Sequence, residues 1–254
     1  MLGASCSWAV SRMNFPQAQS FLQLIYPSRC VGCGVLVEGD FGLCGTCWRE
    51  TPFVTGLSCD ACGVPLMGPD PSEIAHCDAC MVAPRPWERG RATLVYEDLA
   101  RQLVMRLKHG DRTDMAHPMA GWMARKARAL VCEDTIMVPV PLHWRRLLKR
   151  KYNQAALLSG ALAKQLDVPH CPDALLRTRA TLPLKGDREA RLEAMKGSIV
   201  LSQKRAAQIQ GRAVLLVDDV MTSGATLEAA ALALEPARPR KIDVITLARV
   251  AMDP

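Results

Sequence analysis

The chain has 254 residues, 49% hydrophobic and 22% charged, with a net charge of +7. That length allows a sizeable core in one or two domains, and that composition excludes an intrinsically disordered chain. No apolar run approaches the roughly 20 residues of a membrane span. The opening MLGASCSWAVSRMNF also lacks the basic start and compact apolar stretch of a secretion signal, so a cytoplasmic protein is expected. The charge is uneven, −3 over residues 1–90 and +10 over residues 91–254. A basic C-terminal part suits either a polyphosphate ligand or nucleic acid.

The first predicted element is a short helix over 16–27, with Phe21, Leu22, Leu24 and Ile25 as its apolar residues and Pro27 as its end. Beyond it lie eight of the eleven cysteines, in four C-x2-C pairs: Cys30/Cys33, Cys44/Cys47, Cys59/Cys62 and Cys77/Cys80. Two thiolates three positions apart can chelate one tetrahedral ion, and this spacing repeated in a non-exported chain points to zinc rather than disulfides. Gly34 and Gly63 follow the second cysteine of their pairs and Gly32 and Gly45 lie within theirs, which permits tight knuckles. No long periodic apolar segment runs through 30–80, so metal must supply much of the folding energy there. Two structural four-cysteine sites are expected. Sequential pairing keeps the loop closures short, with an interleaved cross-brace as the alternative. Eight thiolates on two ions leave no open coordination position for catalysis.

The Pro-rich stretch 83–87 (APRPW) is the expected linker, dividing a zinc module over 1–85 from a second domain over 86–254. In that domain the apolar runs Ala92–Tyr96, Thr135–Val140, Val214–Val217 and Ile242–Leu247 read as strands. They alternate with helical patterns near 98–108, 115–131, 154–166 and 226–235. This alternation implies an α/β fold with a mostly parallel sheet, whose ligands bind at the carboxyl ends of the strands.

Two segments carry chemistry. In VPVPLHWRRLLKRKYNQ (138–154) a Pro-x-Pro turn is followed by Arg145, Arg146, Lys149, Arg150 and Lys151. On a helix Arg146 and Arg150 share one face and Arg145 and Lys149 another. Such a cluster can neutralise a pyrophosphate, or can be a solvated basic face. In VLLVDDVMTSGAT (214–226) a buried strand runs into the carboxylates Asp218 and Asp219, then into a Thr/Ser/Gly turn opening a helix. The turn and the positive helix end suit a phosphate. The acidic pair needs a different partner, and the hydroxyls of a ribose diol fit.

This last stretch resembles the signature of the type I phosphoribosyltransferases, which bind phosphoribosyl pyrophosphate (PRPP). The resemblance implies that Asp218 and Asp219 hold the ribose hydroxyls as catalytic residues, and that Thr222, Ser223, Gly224, Ala225 and Thr226 cradle the 5′-phosphate. Arg145, Arg146, Lys149 and Arg150 would take the pyrophosphate, and Mg²⁺ would accompany PRPP. The order of cysteine knuckles, VPVPLH, basic stretch ending in Asn153-Gln154 and terminal signature is similar to the ComF family, from about Cys30 to Arg249. That likeness implies a type I phosphoribosyltransferase-like domain preceded by a small zinc-ribbon module, and a link to DNA uptake in natural competence. It also implies, as expected partners, PRPP, single-stranded DNA, and a competence helicase or other DNA-processing protein. Arg177, Arg179 and Thr181, with Arg191 further on, fit the family's mobile-loop pattern. Lys151 stands where the family has a small residue, Leu184 where it has Gln, and Ala194 near an Asn position, which bears on turnover more than on binding.

Two functions compete at this point. One is an enzyme acting by positioning and electrostatics, with Arg145, Lys149 and Arg150 on the departing pyrophosphate; its only candidate bases are His109 and His143. The other is a non-catalytic single-stranded DNA-binding module on the same fold, with Trp48, Trp87, Trp144 and Tyr152 as candidate stackers.

Overall fold

The computed structural model describes residues 27–39, 42–68, 73–109, 111–180 and 188–251. The helix expected to end at Pro27, together with Thr181 and Leu184, lies outside them. Two short helices, α1 (Gly45–Glu50) and α2 (Asp78–Val82), belong to the cysteine-rich part. Then follow β1 (Arg89–Val95), α3 (Asp98–His109), α4 (Ala116–Ala127), β2 (Thr135–Pro139), α5 (Trp144–Arg150) and α6 (Gln154–Leu166). The chain continues through β3 (Leu175–Arg177), α7 (Arg188–Met195), β4 (Ile199–Leu201), α8 (Ala206–Ile209), β5 (Ala213–Met221), α9 (Ala225–Leu234) and β6 (Lys241–Arg249).

Four strands form one sheet in the order β1-β6-β5-β2, every pair parallel. Successive strand side chains point to opposite faces, and here both faces are covered, so the strands read as unbroken apolar runs. Val214 and Leu216 of β5 enter a core with α9, whereas Leu215 and Val217 enter a second core with α3, α4 and α6. Ile136 and Val138 against Met137 in β2 divide in the same way. The antiparallel pair β3–β4, with three residues in each strand, was not expected. Each strand has an exposed central residue and is too short to give a periodic signal.

The cysteine-rich part straddles the β1 edge. Its first knuckles (Cys30, Val31, Leu43, Cys47) join the core of α3 and α4, and its second (Cys59, Ala61, Cys62, Cys80) joins the core of α9, on the opposite sheet face. The intervening chain crosses the edge strand, with Phe53 bridging Leu94 and the N–H of Val54 donating to Thr93 O at 2.9 Å. Segment 83–87 is no open linker. Trp87 is buried and its indole N–H donates to Ala61 O at 2.6 Å, so the boundary expected near residue 85 runs through packed structure. Gly63 explains the close fit: it has φ +71°, and a Cβ there would lie 2.5 Å from the backbone nitrogen of Ala92.

Lys151 ends α5 with φ +66°, a left-handed conformation that costs a side-chain-bearing residue free energy and that glycine adopts freely. Its exposed ion pair with Asp111 (2.7 Å) recovers little of this. Lys151→Gly is therefore expected to raise Tm by roughly 1–3 °C in a thermal melt, leaving the cleft described next unchanged.

Candidate active site and metal centres

At the carboxyl ends of β2 and β5 a polar cleft is lined by Lys108, Arg146, Arg150, Asn153, Gln154, Arg177, Asp218, Asp219 and Thr226. Two of the helices that bring these groups together, α5 and α6, start on side-chain caps. Asn153 accepts from Ala155 N at 3.0 Å, starting α6, while its amide donates to Val140 O at 3.0 Å, tying that start to the end of β2. His143 caps α5 by accepting from Arg145 N at 3.3 Å, and burial with the neighbouring Arg145, Arg177 and Arg146 charges lowers its pKa. It is a capping imidazole. His109 is exposed at the end of α3.

Within the cleft the two carboxylates differ. Asp219 pairs with Lys108 at 3.1 Å, both side chains mostly buried. Asp218 accepts from Asp219 N at 2.8 Å, but burial and the adjacent Asp219 charge push its pKa up to about 8. The Arg177 guanidinium has its pKa lowered by burial and by Arg146, with Asp218 opposing. The result is a cleft lined by two carboxylates and four cations, Lys108, Arg146, Arg150 and Arg177.

Next to the acidic pair, Thr222–Gly224 turn into α9, with Gly224 at φ +87° as its N-cap. Arg85 donates to Ser223 O at 2.9 Å, and Arg249 donates to the carbonyls of Met221 (3.2 Å) and Thr222. A trans peptide directs its N–H opposite to its C=O. Holding these carbonyls on the zinc-ribbon side therefore turns the following N–H groups away from it.

The sequence-predicted residues divide. Asp218, Asp219, Thr226, Arg146, Arg150 and Arg177 line the one cleft, and Thr222, Ser223, Gly224 and Ala225 form the turn and helix start beside it. Arg145 and Lys149 are not among the residues that line the cleft. They lie on the exposed face of α5, Arg145 over the ring of exposed Trp144. Arg179 donates to Lys196 O outside the cleft, and the Arg191 side chain lies outside the described residues. Lys108, Arg85 and Arg249 were missed. Lys108 sits in the LKHGD segment, where the histidine drew attention, and the two arginines carry no spacing signal.

The eight paired cysteines form two groups, Cys30/Cys33/Cys44/Cys47 and Cys59/Cys62/Cys77/Cys80, the sulfurs of each within 4.8 Å of one another. The pairing is sequential. A tetrahedral zinc with bonds of about 2.3 Å places its sulfurs roughly 3.8 Å apart. Cys33 to Cys44 is 3.6 Å and Cys62 to Cys77 is 3.7 Å. Both groups thus fit structural zinc. In each, equivalent backbone bonds close the knuckle: Gly34 N to Cys30 O and Gly63 N to Cys59 O, both 2.8 Å.

Comparison with known proteins agrees with this architecture. Residues 21–81 match a double zinc ribbon domain and residues 153–253 a phosphoribosyl transferase domain. The chain is 31% identical over 211 residues to the DNA utilization protein YhgH of Escherichia coli, covering 80% of this chain and 89% of that one. It is 28% identical over 232 residues to competence protein F of Haemophilus influenzae, covering 87% and 96%. It is 26% identical over 227 residues to competence protein ComFC of Bacillus subtilis, covering 84% and 87%. With a double zinc ribbon set on a parallel-sheet phosphoribosyltransferase-type domain, and relatives of this kind along most of its length, the chain belongs to the ComF family.

Proposed function

We propose that the protein binds Mg–PRPP in this cleft and transfers its phosphoribosyl group to an acceptor. The observation that carries the reading is the convergence, at one sheet end, of an acidic pair, four cations and a helix N-terminus. That set matches the three parts of the ligand: diol, pyrophosphate and 5′-phosphate. Asp218 and Asp219 accept hydrogen bonds from the ribose hydroxyls and favour positive charge developing at the ribosyl carbon. Arg146, Arg150 and Arg177 face the departing pyrophosphate, replacing the outward-facing Arg145 and Lys149 in that role. The N–H groups after Met221 and the start of α9 hold the 5′-phosphate and fix the sugar in place. Mg²⁺ would come with the ligand beside Asp218 and Asp219 and would supply further charge neutralisation. In the reaction the bond from C1 of the ribose to the pyrophosphate oxygen breaks, the acceptor's lone pair forms the new bond at C1, and the acceptor's proton leaves to solvent. Calorimetry of Mg–PRPP against wild-type protein tests the reading, and absence of binding at millimolar ligand would refute it.

The raised pKa of Asp218 gives this binding a pH signature. A diol and its cation favour the ionised carboxylate, so below pH 8 binding must expel the Asp218 proton. Affinity is expected to rise up to about tenfold per pH unit between pH 6 and 8 and then level off, and Asp218→Asn should flatten the profile. For folding the sign is opposite. An acid whose pKa is raised in the folded state loses relative stability as pH rises from its unfolded value near 4 to about 8, and nothing more above that.

A second reading, single-stranded DNA binding, is supported by one feature. Of the four candidate stackers, Trp87 is buried, Trp48 packs on Phe53 at 4.1 Å, and the Tyr152 hydroxyl donates to Leu107 O at 2.9 Å. Only Trp144 is exposed, with Arg145 stacked on it and Lys149 one turn on. Four or five phosphate contacts around this face would give a log–log salt slope of roughly −3 to −4. A slope near zero in a fluorescence-anisotropy titration would remove the reading. Because Arg146 and Arg150 belong to the same helix, PRPP should displace a bound oligonucleotide.

A further inference from the structure

Two buried arginines, Arg85 and Arg249, take no part in the proposed reaction, yet each spans the same two groups. Arg85, with 1% of its side chain exposed, places Nε 3.5 Å from Cys80 Sγ and Nη1 2.9 Å from Ser223 O, with Glu228 at 3.7 Å. Arg249, 1% exposed, places Nη2 3.9 Å from Cys62 Sγ, and its Nη1 donates to the carbonyls of Met221, Thr222 and Val250. Cys62 and Cys80 belong to one four-sulfur group. Four thiolates around a divalent ion carry a net double negative charge, which two guanidiniums compensate in a site too dry for water to do so. The Nη1 of each arginine donates to the turn that opens α9. Gly224 allows this closeness, since a Cβ there would meet Arg85 Nη1 at 2.8 Å.

The first sulfur group differs from the second in what its neighbouring arginine touches. Its sulfurs accept from their own backbone, Cys44 N to Cys30 at 3.3 Å and Cys47 N to Cys44 at 3.5 Å. The arginine beside it, Arg106, donates to the carbonyls of Val31 and Gly32. That group lies on the other sheet face, among α3 and α4. The two zinc sites are therefore not equivalent with respect to the cleft.

We propose that the second zinc site is a positioning device for the phosphate-binding turn, with Arg85 and Arg249 as its two struts. With zinc bound, the anionic cluster fixes both guanidiniums and they hold the carbonyls of Met221–Ser223 away from the cleft. When the ion leaves, the four sulfurs no longer form one fixed cluster, both guanidiniums lose that anchor while Arg85 keeps only Glu228 at 3.7 Å, the carbonyls are released and the N–H groups lose their common aim. The first site has no such effect. The consequence for ligand affinity rests on the reading of Thr222–Thr226 as the phosphate site, whereas the coupling of zinc to the turn does not. Coupling of this kind is reciprocal, so a phosphate held at the turn must retain the second zinc.

The test compares full-length wild type, Arg85→Gln, Arg85→Lys, Cys33→Ser and Cys77→Ser. Readouts are zinc release to a chromogenic chelator, hydrogen exchange of the Met221–Thr226 segment, and Mg–PRPP calorimetry. Arg85→Gln should release one of two zinc ions about 10–100-fold faster and leave the other unchanged, as loss of a partner hydrogen-bonded to a metal ligand does. Arg85→Lys, which keeps the charge but cannot span sulfur and carbonyl, should behave alike and serves if the Gln variant does not fold. Cys77→Ser should speed exchange at Met221–Thr226, and Cys33→Ser should not. Equal exchange in the two cysteine variants, or unaltered zinc release in both Arg85 variants, overturns the proposal. If wild type does not bind Mg–PRPP, the phosphate reading fails while exchange and zinc release still judge the coupling. If it does bind, the ligand should slow release of one zinc; equal release with and without it counts against the struts.

Discussion

Asp218→Asn/Asp219→Asn is expected to abolish Mg–PRPP binding in calorimetry while the protein stays folded. Each carboxylate would accept a hydrogen bond from a ribose hydroxyl, and charge-assisted bonds of this kind are worth about 1.5–3 kcal/mol each. Losing both predicts affinity at least about 100-fold weaker. The amides keep shape and can still accept, but they remove the charge that favours the ligand's cation and leave Lys108 without its 3.1 Å partner. Stability should hold at about pH 9, where Asp218 is ionised and a burden to the fold, which offsets the lost Asp219–Lys108 pair. Burial and the Asp219 charge resist its ionisation, and a neutral amide is free of both. A thermal melt at that pH matching wild type, together with lost binding, is the expected pair of results. Unchanged affinity in the double variant would mean that the acidic pair is not the diol site.

The main sheet was legible in the sequence because its strands are buried on both faces. Val214–Val217 is apolar throughout, and no helix of that composition fits between Gly211 and the acidic pair. The structure extends this strand through Asp218 and Asp219 to Met221, since pairing with β6 continues as far as Arg249. The β3–β4 arm escaped notice because three-residue strands with exposed centres have no period to detect. At the site, helix periodicity divided the basic cluster into Arg146/Arg150 and Arg145/Lys149, but nothing in the pattern told which pair faces inward. The His143 cap and the Asn153 tie to Val140 decide that by setting how α5 sits on the end of β2. Arg85 illustrates a different limit. In a Pro-rich segment it reads as linker, and its role depends on partners 138 residues away, at Ser223.

Removing zinc should affect the protein more than any single substitution. Metal analysis of protein purified without added zinc is expected to give about two ions per chain, one for each four-sulfur group. Among the described residues, the cysteine-rich part is held internally by isolated bridges, Arg29 to Leu36, Ser58 to Pro65 and Cys59 to Ala75, and by helices of 6 and 5 residues. Helices that short do not persist alone in water. Structural zinc in such knuckles contributes an apparent binding free energy of about 10–16 kcal/mol, comparable to the whole stability of a domain. The loss would not stay local, because Cys59, Cys62 and Cys80 pack in one core with Trp87, Met221 and α9. Demetallation therefore uncovers Trp87, whose indole is anchored on Ala61 between the two zinc-ligand cysteines Cys59 and Cys62. A strong chelator with a thiol reagent should red-shift tryptophan fluorescence and lower Tm by more than about 10 °C, and Trp87→Phe should show a smaller spectral shift on the same treatment. Folded, reduced protein containing no metal and melting as the zinc-loaded form does would overturn the assignment of both sites.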